Sequence, residues 1–225
     1  MPIFFLFIPL LLLGLFVSSR LKNKMTQYSQ IPISSGLTGK QVAEKMLRDN
    51  GIYDVQVVCI EGFLTDHYDP TKKTLNLDPT VFNTSSITSA AVAAHETGHA
   101  VQHARAYTWL TLRSQLVPIV SISSRFVQWI LLAGILLINT FPQLLMAGII
   151  MFACITLFSF ITLPVEFDAS RRGLAWIESS QIMASQDFAK AKDGLWWAAM
   201  TYVVAAISSL VTLLYYLSFL NGRRR

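Results

Sequence analysis

Four apolar runs decide what this chain can fold into. They cover residues 2–17, 117–140, 144–163 and 195–220. A helix that crosses a bilayer needs about 20 mostly apolar residues, and lipid leaves no backbone polar group a water partner. The runs therefore predict membrane helices. The balance of the chain agrees, at 53% hydrophobic and 14% charged residues. Arg20, Lys22 and Lys24 follow the first run instead of preceding it, so it reads as a retained anchor and not a cleaved signal peptide. It is short for a span and needs tilt or local thinning. The second and third runs are separated only by the polar turn 139–143, so they form an antiparallel hairpin whose ends return to one side. Trp196, Trp197, Tyr202, Tyr215 and Tyr216 sit near the ends of the fourth run, as interfacial aromatics do.

The chemistry is concentrated in residues 90–104, AAVAAHETGHAVQHA. Its alanines favour a helix, and Thr84, Ser85 and Ser86 can cap the start. His95 and His99 lie four apart, on one helical face, and can aim two imidazoles at one Zn2+. Glu96 follows the first histidine, where a carboxylate can take a proton from a zinc-held water and pass it on. Gly98 costs about 1 kcal/mol against Ala in a helix and permits another backbone to come close. His103 extends the same face, but the three side chains spread over about 12 Å along the axis, too long to converge on one ion. It is read as structural or as a partner of the ligands. Glu166 follows the third apolar run directly, on the side to which the hairpin returns. It can complete a His2Glu site with a water in the fourth position. Asp168, Ser170, Arg171 and Arg172 can hydrogen-bond the ligands and orient them.

The remaining segments are polar. Val42, Ala43, Met46 and Leu47 recur at helical spacing, and Gly51 stops that helix. Residues 55–60 and 73–77 read as strands, giving a short β-hairpin or small sheet. Between them, Asp66, His67 and Asp69 can form a second metal site or touch substrate, while Asp69-Pro70 also reads as a turn. Asp78 and its neighbours cap a short helix, and residues 179–194 form a polar helical hairpin. Cys59 and Cys154 are expected to be buried thiols with no disulfide between them. No basic, aromatic-interleaved stripe points to nucleic acid.

The expected architecture is mainly α and integral to a membrane. About four transmembrane helices carry a zincin-like metalloprotease domain containing a short β-hairpin. The divisions are 1–19, an anchor; 20–116, the zincin-like domain; 117–163, a transmembrane hairpin; 164–195, a helical segment with the third ligand; and 196–220, a last transmembrane helix. The polar segments 20–116 and 164–195 carry ten and four Lys/Arg, which places them and the site in the cytosol. Arg223, Arg224 and Arg225 then fall outside, against the charge rule.

These motifs together carry a resemblance over nearly the whole length. Residues 34–39 (SSGLTG), 64–70 (LTDHYDP), 93–104 (AAHETGHAVQHA), 112–118 (LRSQLVP) and 163–172 (LPVEFDASRR) resemble the YugP-like membrane zinc metallopeptidases of bacteria. That family is assigned as zinc endopeptidases, with poorly defined substrates. The resemblance implies His95 and His99 as ligands, Glu96 as catalytic acid and base, Glu166 as third ligand, and a bacterial cytoplasmic membrane. The chain is also distantly similar to the HtpX class of membrane gluzincins, which place an Asp four residues after the ligand Glu. Here Ser170 holds that place, and Asp168 is two residues earlier, so the role of the acid stays open.

The expected function is a membrane-anchored zinc endopeptidase. It acts on membrane or membrane-proximal proteins, with Tyr107, His67 and His103 as candidate donors to the developing oxyanion. Membrane-protein partners or a homo-oligomer are compatible with this reading. Two rivals are a non-catalytic zinc-binding scaffold or quality-control adaptor, and a site-2-type intramembrane protease. The polar flanks of the His95 helix weigh against the second.

Overall fold

A computed structural model describes residues 4–62 and 65–222. Arg223, Arg224, Arg225 and the Leu64 end of the LTDHYDP motif lie outside the described residues. The order of elements is α1 (Phe4–Ser29), α2 (Gly39–Asp49), β1 (Gln56–Cys59), β2 (His67–Asp69), β3 (Thr74–Leu77), α3 (Pro79–Asn83), α4 (Ile87–Ala104), α5 (Thr108–Leu136), α6 (Pro142–Ser180) and α7 (Ser185–Gly222). The chain is mainly helical, with one small sheet. Among the described residues, three helices are long and apolar enough to cross a membrane: α5, α6 and α7 from Ser185 to Leu220.

The chain divides into two compact units. One is built from Thr108–Pro164 with the two ends of the chain, and the other from Leu11–Tyr107 and Val165–Thr201. In the first, Val127, Leu131, Leu145 and Ile149 form the core. Gly134 permits the close approach of α5 and α6, because a Cβ there would lie 2.6 Å from the Cα of Leu145. Ile122, Phe126, Trp129, Leu136 and Ile150 are exposed. So many apolar side chains turned outward suit a hydrocarbon solvent.

The second unit packs around α4. This helix is buried over most of its length, from Ile87 to Gln102, which is why alanine dominates it. Its N-cap is Ser86, whose hydroxyl accepts from the Ser89 N–H at 3.1 Å. Val42, Ala43, Met46 and Leu47 of α2 pack in the same core as Ala90, Ala93 and Ala94. Thr38 and Gln41 form a capping box at the start of α2.

The sheet has the order β1-β3-β2. Its hairpin is β2–β3, antiparallel, while β1 runs parallel to β3. The segment around His67, read as a loop, therefore holds a strand. The Asp69-Pro70 turn is real: Asp69 Oδ1 accepts from the N–H groups of Thr71 and Lys72 at 2.9 and 3.1 Å. Cys59 is exposed at the end of β1 and Cys154 half-buried, and both thiols are free. The expected burial of Cys59 fails: it is the last residue of β1, where the strand ends. Pro164 also does not end a helix. α6 continues through it to Ser180.

Candidate metal centre

Two helical stripes meet in the second unit. On α4 the stripe is His95, Gly98, His99 and Gln102; on α6 it is Glu166, Ala169, Ser170 and Gly173. Glycine is required on both. A Cβ on Gly98 would lie 2.5 Å from the Ala169 carbonyl oxygen, and one on Gly173 would lie 2.9 Å from the Ala94 carbonyl carbon. The helices thus touch backbone to backbone, and side chains flanking the glycines are pressed together.

His95, His99 and Glu166 each offer a donor atom, all within 4.8 Å of one another. Glu166 Oε2 lies 3.3 Å from His95 Nε2 and 3.7 Å from His99 Nε2. Donors around a tetrahedral zinc at bond lengths of about 2.0–2.1 Å stand about 3.3–3.4 Å apart. The spacing therefore fits one small cation. Glu96 Oε1 is 3.9 Å from His95 Nε2, beside this cluster.

The imidazoles are held from behind. Gln102 Nε2 donates to the Val165 carbonyl at 2.8 Å and to Asp168 Oδ2 at 3.0 Å. Both partners only accept, so the amide orientation is fixed and Oε1 faces His99 Nδ1 at 3.0 Å. His99 therefore carries a hydrogen on Nδ1, and Nε2 is the nitrogen turned toward Glu166. His95 Nδ1 meets Ser170 Oγ at 3.0 Å. This donor chemistry, with second partners on the far nitrogens, suits a metal.

Asp168 is 4% exposed and does not touch a histidine. It acts through Gln102 and is paired with Arg171 and Arg172. Ser170 fills the place four residues after Glu166. Tyr107 lies under the Arg172 guanidinium at 5.6 Å. His67 binds the Thr65 carbonyl, and His103 binds the Tyr68 hydroxyl at 2.9 Å; neither belongs to the three-donor cluster. Sequence reasoning missed Gln102 and Tyr68. The only signal for Gln102 was its position three residues after His99.

Burial pushes the Glu96 carboxyl up to about 7, with the charges of Glu166 and Asp66 adding to the rise. The His95 charge and a hydrogen bond from the Tyr68 backbone oppose it. Burial also raises Asp66 to about 6, beside Asp78.

Replacing Gln102 with Leu should weaken metal binding about ten- to a hundredfold, the usual cost of losing such a support. Titration against a competing chelator measures this. Wild-type affinity would remove Gln102 from the centre.

A mainly helical chain with three apolar helices and a buried His-His-Glu donor cluster defines the class: a membrane protein with an H-E-x-x-H centre. Residues 3–221 match the family described as "Putative neutral zinc metallopeptidase". The chain is 40% identical over 222 residues to the Bacillus subtilis (strain 168) protein described as "Putative membrane protease YugP". That match covers 97% of this chain and 98% of the relative. The chain belongs to this YugP-like family of zinc metallopeptidases. No solved structure matches it.

Proposed function

We propose that the chain is a membrane-anchored zinc endopeptidase of the gluzincin type, cutting membrane or membrane-proximal proteins. The observation that carries this reading is the gathering of His95, His99 and Glu166 within 4.8 Å. The relative's description as a membrane protease supports it.

His95 Nε2, His99 Nε2 and a Glu166 oxygen would hold Zn2+. When bound, the metal supplies Lewis acidity to a scissile carbonyl and acidifies a water. Glu96, beside the three donors, would serve as the group that accepts a proton and returns it to the leaving nitrogen. Its burial holds the carboxyl close to the reacting groups and away from bulk water. Ser170 and Gln102 hold the rings still while this happens. The Tyr68–His103 pair lies on the Glu96 side of α4. Of the candidate donors it is best placed to meet a substrate.

We read α1 as a fourth span beside α5, α6 and α7, with the centre on the cytosolic side, where the Lys and Arg of the polar segments gather. α4 is not among the helices long and apolar enough to cross a membrane. That disfavours an intramembrane protease.

The test is hydrolysis of a quenched-fluorescent peptide library by the purified protein. Activity should vanish with 1,10-phenanthroline and return when Zn2+ is restored. Hydrolysis that survives chelation, in protein shown to be metal-free, would overturn the proposal.

A further inference from the structure

A second concave site lies in the same unit, lined by α6 and α7; it meets the donor cluster only through Ser170, which touches His95, and Arg171, which pairs with Asp168. Its volume is about 680 Å3. That falls within the roughly 300–1,000 Å3 of small-ligand sites. One end is apolar: Phe167 and Trp196 stand with ring centroids 6.4 Å apart, and Leu195 and Ala199 line the wall beside them. Phe167 is 38% and Trp196 55% exposed, which is costly for such rings in water. Arg171 lies four residues after Phe167 on α6, and Lys192 four residues before Trp196 on α7. At about 1.5 Å per residue, each cation stands roughly 6 Å from its aromatic partner along its helix. The two helices run in opposite directions, so both cations are displaced to the same side. The groove thus has an aromatic layer and, one turn away, a cationic layer.

Two acids also line it. Asp193 is answered by Lys24 at 2.9 Å and by the Tyr28 hydroxyl at 2.7 Å. Glu178 lies seven residues beyond Arg171, about 10 Å further along α6. Arg171 uses one guanidinium nitrogen on Asp168, yet its side chain is 77% exposed, which leaves N–H groups facing outward.

We propose that this groove binds one anionic phospholipid, with its phosphate between Arg171 and Lys192 and an acyl chain along Phe167, Leu195 and Trp196. Charge complementarity at the cationic layer selects the head, and the exposed rings receive the tail. The lipid reading does not rest on the peptidase reading, and the variants below leave Ser170 and Arg171 in place so that the two can fail separately.

Native mass spectrometry of the delipidated, full-length protein tests it, with phosphatidylglycerol and phosphatidylcholine as probes. Wild-type protein should bind one phosphatidylglycerol in preference to phosphatidylcholine. Lys192→Gln should lower phosphatidylglycerol affinity about fivefold, the effect of one cation near an anionic head, and leave phosphatidylcholine unchanged. Trp196→Ala should weaken both lipids. A helical circular-dichroism spectrum and an elution volume equal to wild type show that each variant is folded. Equal affinity of wild-type protein for the two lipids, an unchanged preference in Lys192→Gln, or a dimer that excludes lipid from the groove would overturn the proposal.

Discussion

Glu96→Gln protein is expected to bind zinc as well as the wild type and to cut peptides roughly 10^2–10^4-fold more slowly. General acid–base groups contribute about 10^2–10^4 to rate. The substitution keeps the shape of a side chain that is 9% exposed, and it removes only the capacity to hold a proton and give it back. The carboxylate stands beside the three donors without being one of them, so the metal should stay. Zinc stoichiometry and the rate of peptide cleavage, measured on the same preparation, read the two properties separately. A rate within tenfold of wild type would end the role of Glu96 as base. A variant that had lost its zinc would instead make the Glu96 charge part of metal binding.

Gly98→Ala should have a large structural effect for a single methyl, and one that falls on the donor cluster itself. By helix propensity alone it would stabilise by about 1 kcal/mol. The added Cβ, however, meets the Ala169 carbonyl oxygen at 2.5 Å and its carbonyl carbon at 3.0 Å. Backbone cannot step aside as a flexible side chain would. α6 must shift, and overpacking of this kind costs about 1–3 kcal/mol. The shift carries Glu166 away from the two imidazoles, so zinc should fall well below one equivalent and the thermal midpoint should drop. Gly173→Ala, which strikes Ala94 from the other helix, should act in the same direction. A Gly98→Ala protein with full zinc and an unchanged melting temperature would show that these helices do not meet in the register described.

How much of this could be read from the residues depends on whether the signal is local. The α4 helix announces itself through alanine, a serine cap and histidines four apart. Glu166 could be placed because two apolar runs joined by a five-residue turn must bring the chain back. The strand at His67 was hidden because three residues cannot show alternation, and the Asp-Pro turn after them speaks louder. Pro164 looked like a boundary, since proline removes one helical hydrogen bond and crowds the preceding turn. The helix nevertheless runs through it, and Val165 beside it is fully buried. The acid at 168 could not be assigned, because face arguments exclude direct contact with the ligands and cannot foresee a glutamine reaching over from another helix. Gln102 acquires its meaning only when α6 supplies Asp168 and the Val165 carbonyl.

That glutamine has a consequence for how the centre is loaded. Both ends of its amide are committed, one to two acceptors and the other to His99. The imidazole therefore waits in a single tautomer before any cation arrives. A cation held at Nε2 would require no migration of hydrogen between ring nitrogens and no flip of the Gln102 side chain.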